Sequence, residues 1–261
     1  MTAAPADLPK ITVGAVLQAI EAEADRSAFV AAFDGDGTLW SGDVGEDYFH
    51  AFVKAGEVHD VATRALAETA RAHAVDDGGS GIELCRRLFA AYEAGKFPEE
   101  TICEVIAWCA AGRSWADARG FFEEQFPAKV LRARLHPETV ALLEGVRRAG
   151  VEPFLVSASP KPVVEAAASV LGIAPDHVIA AEPAVEGGLL APRVVGRIPY
   201  GPGKVSGLEA RAPGRTLLVA CGDNAFDEFL LRHARIQCAI RPKARLVAIA
   251  ERIPGLSILQ A

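Results

Sequence analysis

Short runs of apolar residues recur along the chain, and each is followed by a turn and then by a stretch with helical spacing. "AFVAAF" (28–33) is the first; "VEPFLVS" (151–157), "HVIAA" (177–181), "TLLVAC" (216–221) and "IQCAI" (236–240) follow. Apolar runs without polar alternation fit strands buried on both faces, the condition of a parallel sheet covered by helices. A helix is predicted over 137–149, where Pro137 suits a first helical position and Gly150 a C-terminal stop. "PKPVVEAAASVLG" and "AFDEFLLRHA" carry the same periodicity. The alternation predicts an α/β fold, a mostly parallel sheet with helices on both faces. Ligands of such sheets bind beyond the carboxyl ends of the strands, where Asp34, Ser157 and Asp223 would sit.

Between Leu39 and about Leu135 the pattern changes and strand signals vanish. "VGEDYFHAFVKAGE", "VATRALAETARAHAV", "GIELCRRLFAAYEAGKF", "EETICEVIAWCAAG" and "WADARGFFEEQF" read as amphipathic helices, with "DDGGSG" (76–81) as a loop. The expected division is a core of residues 1–40 and 132–261 with an all-helical insertion of 41–131. Linkers near Ser41–Asp43 and Arg132–His136 would join the two. "AVEGGLLAPRVVGRI" (184–198) predicts a β-hairpin that turns at Gly187 and Gly188.

Composition bounds the function. A net charge of -7 argues against general attraction to nucleic acid or to an anionic membrane surface. It leaves room for an anionic substrate, because a metal and a few local cations can invert the field in a pocket. The five cysteines form no C-x-x-C pair, and we read them as buried, reduced thiols. The first residues read as a short polar lead and an amphipathic helix rather than a signal peptide, and no stretch is long enough to span a membrane. A cytoplasmic location is the expectation.

Chemistry concentrates at strand ends. In "AAFDGDGTLW" (31–40) two carboxylates, Asp34 and Asp36, follow a buried strand. Close carboxylates can hold a hard divalent cation, supply a nucleophile, and supply a general acid through the like-charge rise in one pKa. A surface turn after a strand would also favour Asp and Gly. Ser157 closes the next buried strand, where its hydroxyl and the following N–H groups, Ala158 first, could hydrogen-bond a phosphoryl oxygen; Ser159 before Pro160 would suit a helix N-cap. "YGPGK" presents Lys204 after two glycines, without the Ser or Thr of a Walker A loop. In "LLVACGDNAFDEF", Asp223 could complete a carboxylate cluster around a cation, and Asp227 falls at a helix start. An N-cap and a helix-start acid remain the plain alternative for this pair.

Taken in order, strand-D-x-D-G-T, strand-Ser, Gly-Lys and strand-G-D-x-x-x-D resemble the haloacid dehalogenase superfamily, and "SASPKPVVEAAASVLGI" is particularly similar to its phosphoserine-phosphatase-like branch. The resemblance covers the chain outside the helical insertion. It implies a Rossmann-like three-layer core with an inserted helical cap, and a Mg²⁺-dependent phosphatase acting on a small phosphomonoester. Asp34 then matches the nucleophile that forms an aspartyl-phosphate, and Asp36 the general acid and base. Thr38 matches a bracing threonine beside the substrate phosphate, Ser157 the phosphate-binding hydroxyl, and Lys204 the phosphate-neutralising lysine. Asp223 matches a Mg²⁺ ligand together with the Asp34 carboxylate and the Asp36 backbone carbonyl; Asp227 matches an outer acid. Asp36 also weighs against dehalogenation, since a halide leaves without a proton.

The insertion would choose the substrate. "WSGDVGEDYF" places Asp43, Glu46 and Asp47 near the site entrance, and the resemblance gives Asp43 the position that receives a substrate amine. A solvated, acid-rich helix start is the plain alternative. Two departures weigh against phosphoserine itself: Phe226 stands where that branch usually has Asn, and Ala158 and Ser159 stand where it usually has two glycines. Phosphoryl transfer to an acceptor other than water, a Mg²⁺- or phosphate-binding module without catalysis, and a structural partner with a relic site are the alternatives.

Overall fold

The computed structural model describes residues 8–261. The N-terminal polar lead expected from the sequence lies largely outside the described residues. The chain runs β1 (Lys10–Thr12), α1 (Val13–Glu21), β2 (Phe29–Phe33), α2 (Val44–Ala55), α3 (Asp60–Ala72), α4 (Gly81–Glu93), α5 (Glu99–Trp108), α6 (Trp115–Gln125), α7 (Ala128–Arg134) and α8 (Pro137–Arg148). It continues β3 (Glu152–Pro160), α9 (Lys161–Ser169), β4 (Val178–Ala181), β5 (Pro183–Glu186), β6 (Leu189–Val194), α10 (Pro202–Arg211), β7 (Thr216–Gly222), α11 (Glu228–His233), β8 (Ile236–Ala239), α12 (Ala244–Val247) and β9 (Ser257–Gln260).

Seven strands form one sheet in the order β1-β9-β8-β7-β2-β3-β4, with every pairing parallel. β5 and β6 form a separate antiparallel hairpin that turns at Gly187 and Gly188, as the sequence predicts. β2 shows why the centre of the sheet reads as an unbroken apolar run. Ala31 and Phe33 face a core built with α1, α8 and α9 through Val16, Ile20, Leu142 and Val163. Val30 and Ala32 face the opposite layer, packed with Leu208 of α10, Leu230 of α11 and Leu246 of α12. Burial on both faces makes alternation impossible and gives the three-layer, Rossmann-like α/β architecture.

Helices α2–α7 lie between β2 and β3 in the chain and add no strand to the sheet. Their apolar stripes join the α1/α8/α9 side of the core through Phe49, Phe52, Leu84, Leu88 and Phe122. The chain leaves the sheet layer at Ser41 and returns at Arg134 over adjacent backbone. The Ser41 N–H donates to the Arg134 carbonyl at 2.9 Å, the Arg134 guanidinium donates back to the Ser41 carbonyl at 2.7 Å, and Trp40 bridges Leu135. Arg134 also pairs with Asp47 of α2 at 2.6 Å.

Three expectations need correcting. β3 runs on to Pro160, three residues past the predicted end, after a register shift against β4 between Val156 and Pro160. Ser159 is therefore not a helix N-cap; the cap position of α9 is Pro160, which makes no side-chain cap bond. All five cysteines are free thiols, but Cys103 is only partly buried. Among the described residues no helix is long and apolar enough to cross a membrane.

Candidate active site

β2 ends at Phe33, and Asp34 extends its pairing by one bond, its N–H donating to Cys221 of β7 at 3.0 Å. The chain then turns through Gly35–Thr38. Gly37 has φ +82°, and a Cβ there would lie 2.0 Å from Asp223 Oδ2. Glycine is thus required twice, for the left-handed backbone and for the approach to a carboxylate from the next strand. Thr38 is fully buried and its hydroxyl donates to Asp34 Oδ2 at 3.0 Å.

Lys204, in the first turn of α10, has no exposed surface. Its Nζ donates to Asp34 Oδ1 and to Asp227 Oδ1, both at 2.6 Å. Burial works against the ammonium, but Asp227 and Asp34 outweigh it and hold the lysine charged. Asp34 is itself pushed well above the usual carboxylate range. Burial is the main cause, Lys204 opposes it, and Asp227, Asp223 and Asp36 add to the rise. Asp227 turns its second oxygen to the backbone, accepting from the N–H groups of Asp223 and Asn224 at 3.0 and 3.1 Å. The cap of this turn is Asn224, whose side chain accepts from Ala225 N–H, so Asp223 is free of the capping role open to it in the sequence.

Asp36 is held by four donors. Trp40 Nε1 (2.8 Å) and the Val44 N–H (2.7 Å) reach Oδ1; Ser159 Oγ (2.7 Å) and Ser157 Oγ (3.3 Å) reach Oδ2. The bond to Val44 ties the start of α2 to the end of β2. α2 fits so close to the tip of β3 because residue 45 is glycine; a Cβ there would lie 2.6 Å from Ser159 Oγ.

Asp223 follows β7. Its Oδ2 pairs with Lys243 Nζ at 2.9 Å, while Oδ1 is buried with no hydrogen-bond partner among the described residues. Burial first, then Asp227, pushes its carboxyl up to about 6. One carboxylate oxygen each from Asp34, Asp223 and Asp227 lie within 4.8 Å of one another. Hard oxygen donors, an orphaned buried oxygen and surplus negative charge fit a Mg²⁺-like cation.

Above these groups lies a narrow cavity of about 60 Å³. Asp34, Asp36, Ser157, Ala158 and Ser159 form its sheet side; Asp43, Gly45, Glu46, Tyr92, Glu99, Ile102, Cys103 and Ile106 close it from the helical side. Tyr200 and Phe226 complete the wall, their ring centroids 5.4 Å apart. Asp43 caps α2, accepting from the Glu46 N–H at 2.8 Å, and burial together with Asp36 pushes its carboxyl well up.

The haloacid dehalogenase-like hydrolase model matches residues 31–232, which span all of these groups except Lys243. The chain belongs to the haloacid dehalogenase-like hydrolases. No curated protein matches it. A solved protein of unknown function from Bordetella pertussis Tohama I is similar at 26% identity and a TM-score of 0.66, covering 89% of this chain and 98% of that one. A substrate-bound phosphoserine phosphatase is similar at 17% identity and a TM-score of 0.50, covering 88% of this chain and 91% of that one. Cytosolic 5'-nucleotidase IIIB bound to cytidine is similar at 11% identity and a TM-score of 0.56, with 94% and 83% covered. These likenesses show the fold of this haloacid dehalogenase-like chain.

The structure brings Asp34, Asp36, Thr38, Ser157, Lys204, Asp223 and Asp227 into one cluster and sets Asp43 and Ala158 on the cavity wall. Thr38 and Lys204 do not reach that wall. Both touch Asp34 instead, so their geometry is that of groups holding a carboxylate rather than of direct substrate contacts. Three contributors escaped the sequence reading. Trp40 carries an indole N–H four residues past Asp36, a spacing that a turn could have suggested. Ser159 before Pro160 carries only an N-cap signal, and Lys243, beyond the last strand-like run, has no motif to mark it.

Proposed function

We propose that the protein is a Mg²⁺-dependent phosphatase that hydrolyses a small-molecule phosphomonoester through an aspartyl-phosphate on Asp34. The supporting observation is the buried Asp34–Lys204–Asp227 ion cluster beside a fully hydrogen-bonded Asp36, both at the mouths of parallel strands and under one cavity. Asp34 and Asp223, with the Asp36 carbonyl, would hold the cation, which supplies charge neutralisation for a phosphate dianion approaching a carboxylate.

The remaining chemistry belongs to the chain. Lys204 and Thr38 fix the Asp34 carboxylate so that one oxygen can attack phosphorus. As the bond from phosphorus to the ester oxygen breaks, Asp36 gives that oxygen a proton, and the alcohol leaves. Asp36, now a carboxylate, takes a proton from water, whose oxygen attacks the aspartyl-phosphate and returns Asp34 and inorganic phosphate. General acid–base help of this kind contributes about 10²–10⁴-fold. Ser157 and Ala158 line the cavity, where the Ser157 hydroxyl and the Ala158 N–H would orient phosphoryl oxygens. Helices α2–α7 act as the cap. A cavity of about 60 Å³ has room for a few waters, so admitting an ester requires the cap to swing away from the sheet.

The test is phosphate release from p-nitrophenyl phosphate and small natural esters. Turnover should require Mg²⁺, stop with EDTA, and fall by about 10³-fold or more in Asp34→Asn. Turnover that survives Asp34→Asn would overturn the covalent route. Transfer to another acceptor without net phosphate release would assign a phosphotransferase.

A further inference from the structure

We propose that the substrate is a small alkyl phosphate ending in an ammonium group and carrying no carboxylate, an inference that rests on the phosphatase reading above. The residues walling the cavity include five carboxylates and no lysine, arginine or histidine. Asp34 and Asp36 belong to the reaction, which leaves Asp43, Glu46 and Glu99 facing the rest of the ester. A second anionic group on the substrate would lose its water among these acids and find the cations behind the wall, Arg245 and Lys204, already paired with Glu99 and Asp34, a costly arrangement.

The three acids are not equivalent. Glu99 is committed: Arg245 pairs with both of its oxygens at 3.2 and 2.9 Å, and the Tyr200 hydroxyl donates to it at 3.2 Å. Asp43 spends one oxygen on capping α2. Glu46 makes no side-chain hydrogen bond or ion pair among the described residues, yet it lines the cavity. Its place in the first turn of α2 accounts for an acid, but the helix dipole acts equally on a side chain turned to solvent.

The other wall suits the same ligand. Tyr92, Tyr200 and Phe226 offer π faces or edges, and Ile102, Cys103 and Ile106 offer apolar contact for methylene or methyl groups. Phe226 already serves as a cation contact, with Lys204 Nζ 5.0 Å from its ring centroid. Aromatic walls with a carboxylate form the standard receptor for an alkylammonium, and best for a quaternary one, because a poorly hydrated cation gives up little water on entering. The phosphate would face the Asp34 end and the ammonium would face Glu46.

The experiment compares phosphate release from phosphoethanolamine, phosphocholine, phosphoserine, glycerol phosphate and p-nitrophenyl phosphate, in the wild-type chain and in Glu46→Gln and Tyr200→Leu. The better of the two ammonium esters should exceed glycerol phosphate and phosphoserine in kcat/KM by about tenfold or more, the equivalent of one charge-scale contact. Glu46→Gln should raise KM for that ester and narrow its advantage over glycerol phosphate. The relative rates of phosphocholine and phosphoethanolamine separate a quaternary from a primary ammonium. Equal turnover of glycerol phosphate, preference for phosphoserine, or indifference to Glu46→Gln would overturn the inference while leaving the phosphatase reading intact. If no ester is turned over, that reading fails; calorimetric titration of the folded protein with choline and ethanolamine then decides the ammonium site alone. Saturable binding weakened by Glu46→Gln supports it, and no binding overturns it.

Discussion

Lys204 carries a charge with no exposed surface, held between two carboxylates that are nearly or fully buried. Such a cluster is stable only as a set, because removing one member strands the others' charge in a low-dielectric interior. Lys204→Met should therefore lower unfolding stability by about 3–5 kcal/mol in urea denaturation, and adding Asp227→Asn should recover part of that loss. Asp34, Lys204 and Asp223 stood out in the sequence because each follows a strand or a glycine turn, and the resemblance of the ordered motifs joined Asp227 to them. Of the four donors around Asp36, Ser157 alone was legible there. Ser159 lies 123 residues from Asp36 and reaches it because β3 runs parallel to β2 and both chains continue past their last paired residues, Phe33 and Leu155. Lys243 meets Asp223 for the same kind of reason, a neighbour made by the sheet and not by spacing.

At the scale of elements, legibility followed burial. β2, β3, β4, β7 and β8 stand out as apolar runs because most of their residues face a core on one side or the other. β1 (KIT) and β9 (SILQ) went unread; β1 lies at the sheet edge with only Ile11 partly buried, and β9 buries Leu259 alone, so neither shows a run. α7 went unread because a seven-residue helix burying only Leu131 has no stripe to show. The loop before α4 carries a start signal that the loop reading passed over. Ser80 accepts from the Glu83 N–H, and the Glu83 carboxylate accepts from the Ser80 N–H at 2.7 Å. Ser80→Ala breaks this reciprocal cap and should cost about 1 kcal/mol, read as a shifted denaturation midpoint without a change in slope.

At the scale of the molecule, the acid-rich site couples stability to pH and to cations. Asp223 has its carboxyl raised to about 6, against an ordinary value of 3.8. A raised carboxyl favours the fold at low pH, and that contribution is lost as pH rises through about 6. A divalent cation needs the ionised form, so its stabilisation should run the other way. Mg²⁺ added to the cation-free protein should raise the melting temperature clearly above pH 7 and progressively less below pH 6. A Mg²⁺ shift of equal size at pH 5 and pH 8 would contradict this placement of the cation. The change from strand runs to helices between Leu39 and Leu135 was readable at this scale from the periodicity; the way the helices close over the strand ends was not, since it depends on contacts such as Val44 N–H on Asp36.

The backbone bond between Ser41 and Arg134 makes the helical segment a cassette with a single socket. Its two ends meet, and all seven strands of the sheet and the Asp34–Lys204–Asp227 cluster are built from residues outside it. A different segment set into that socket would meet the same strands and the same buried charges, and would have to supply afresh the backbone N–H that Val44 gives to Asp36.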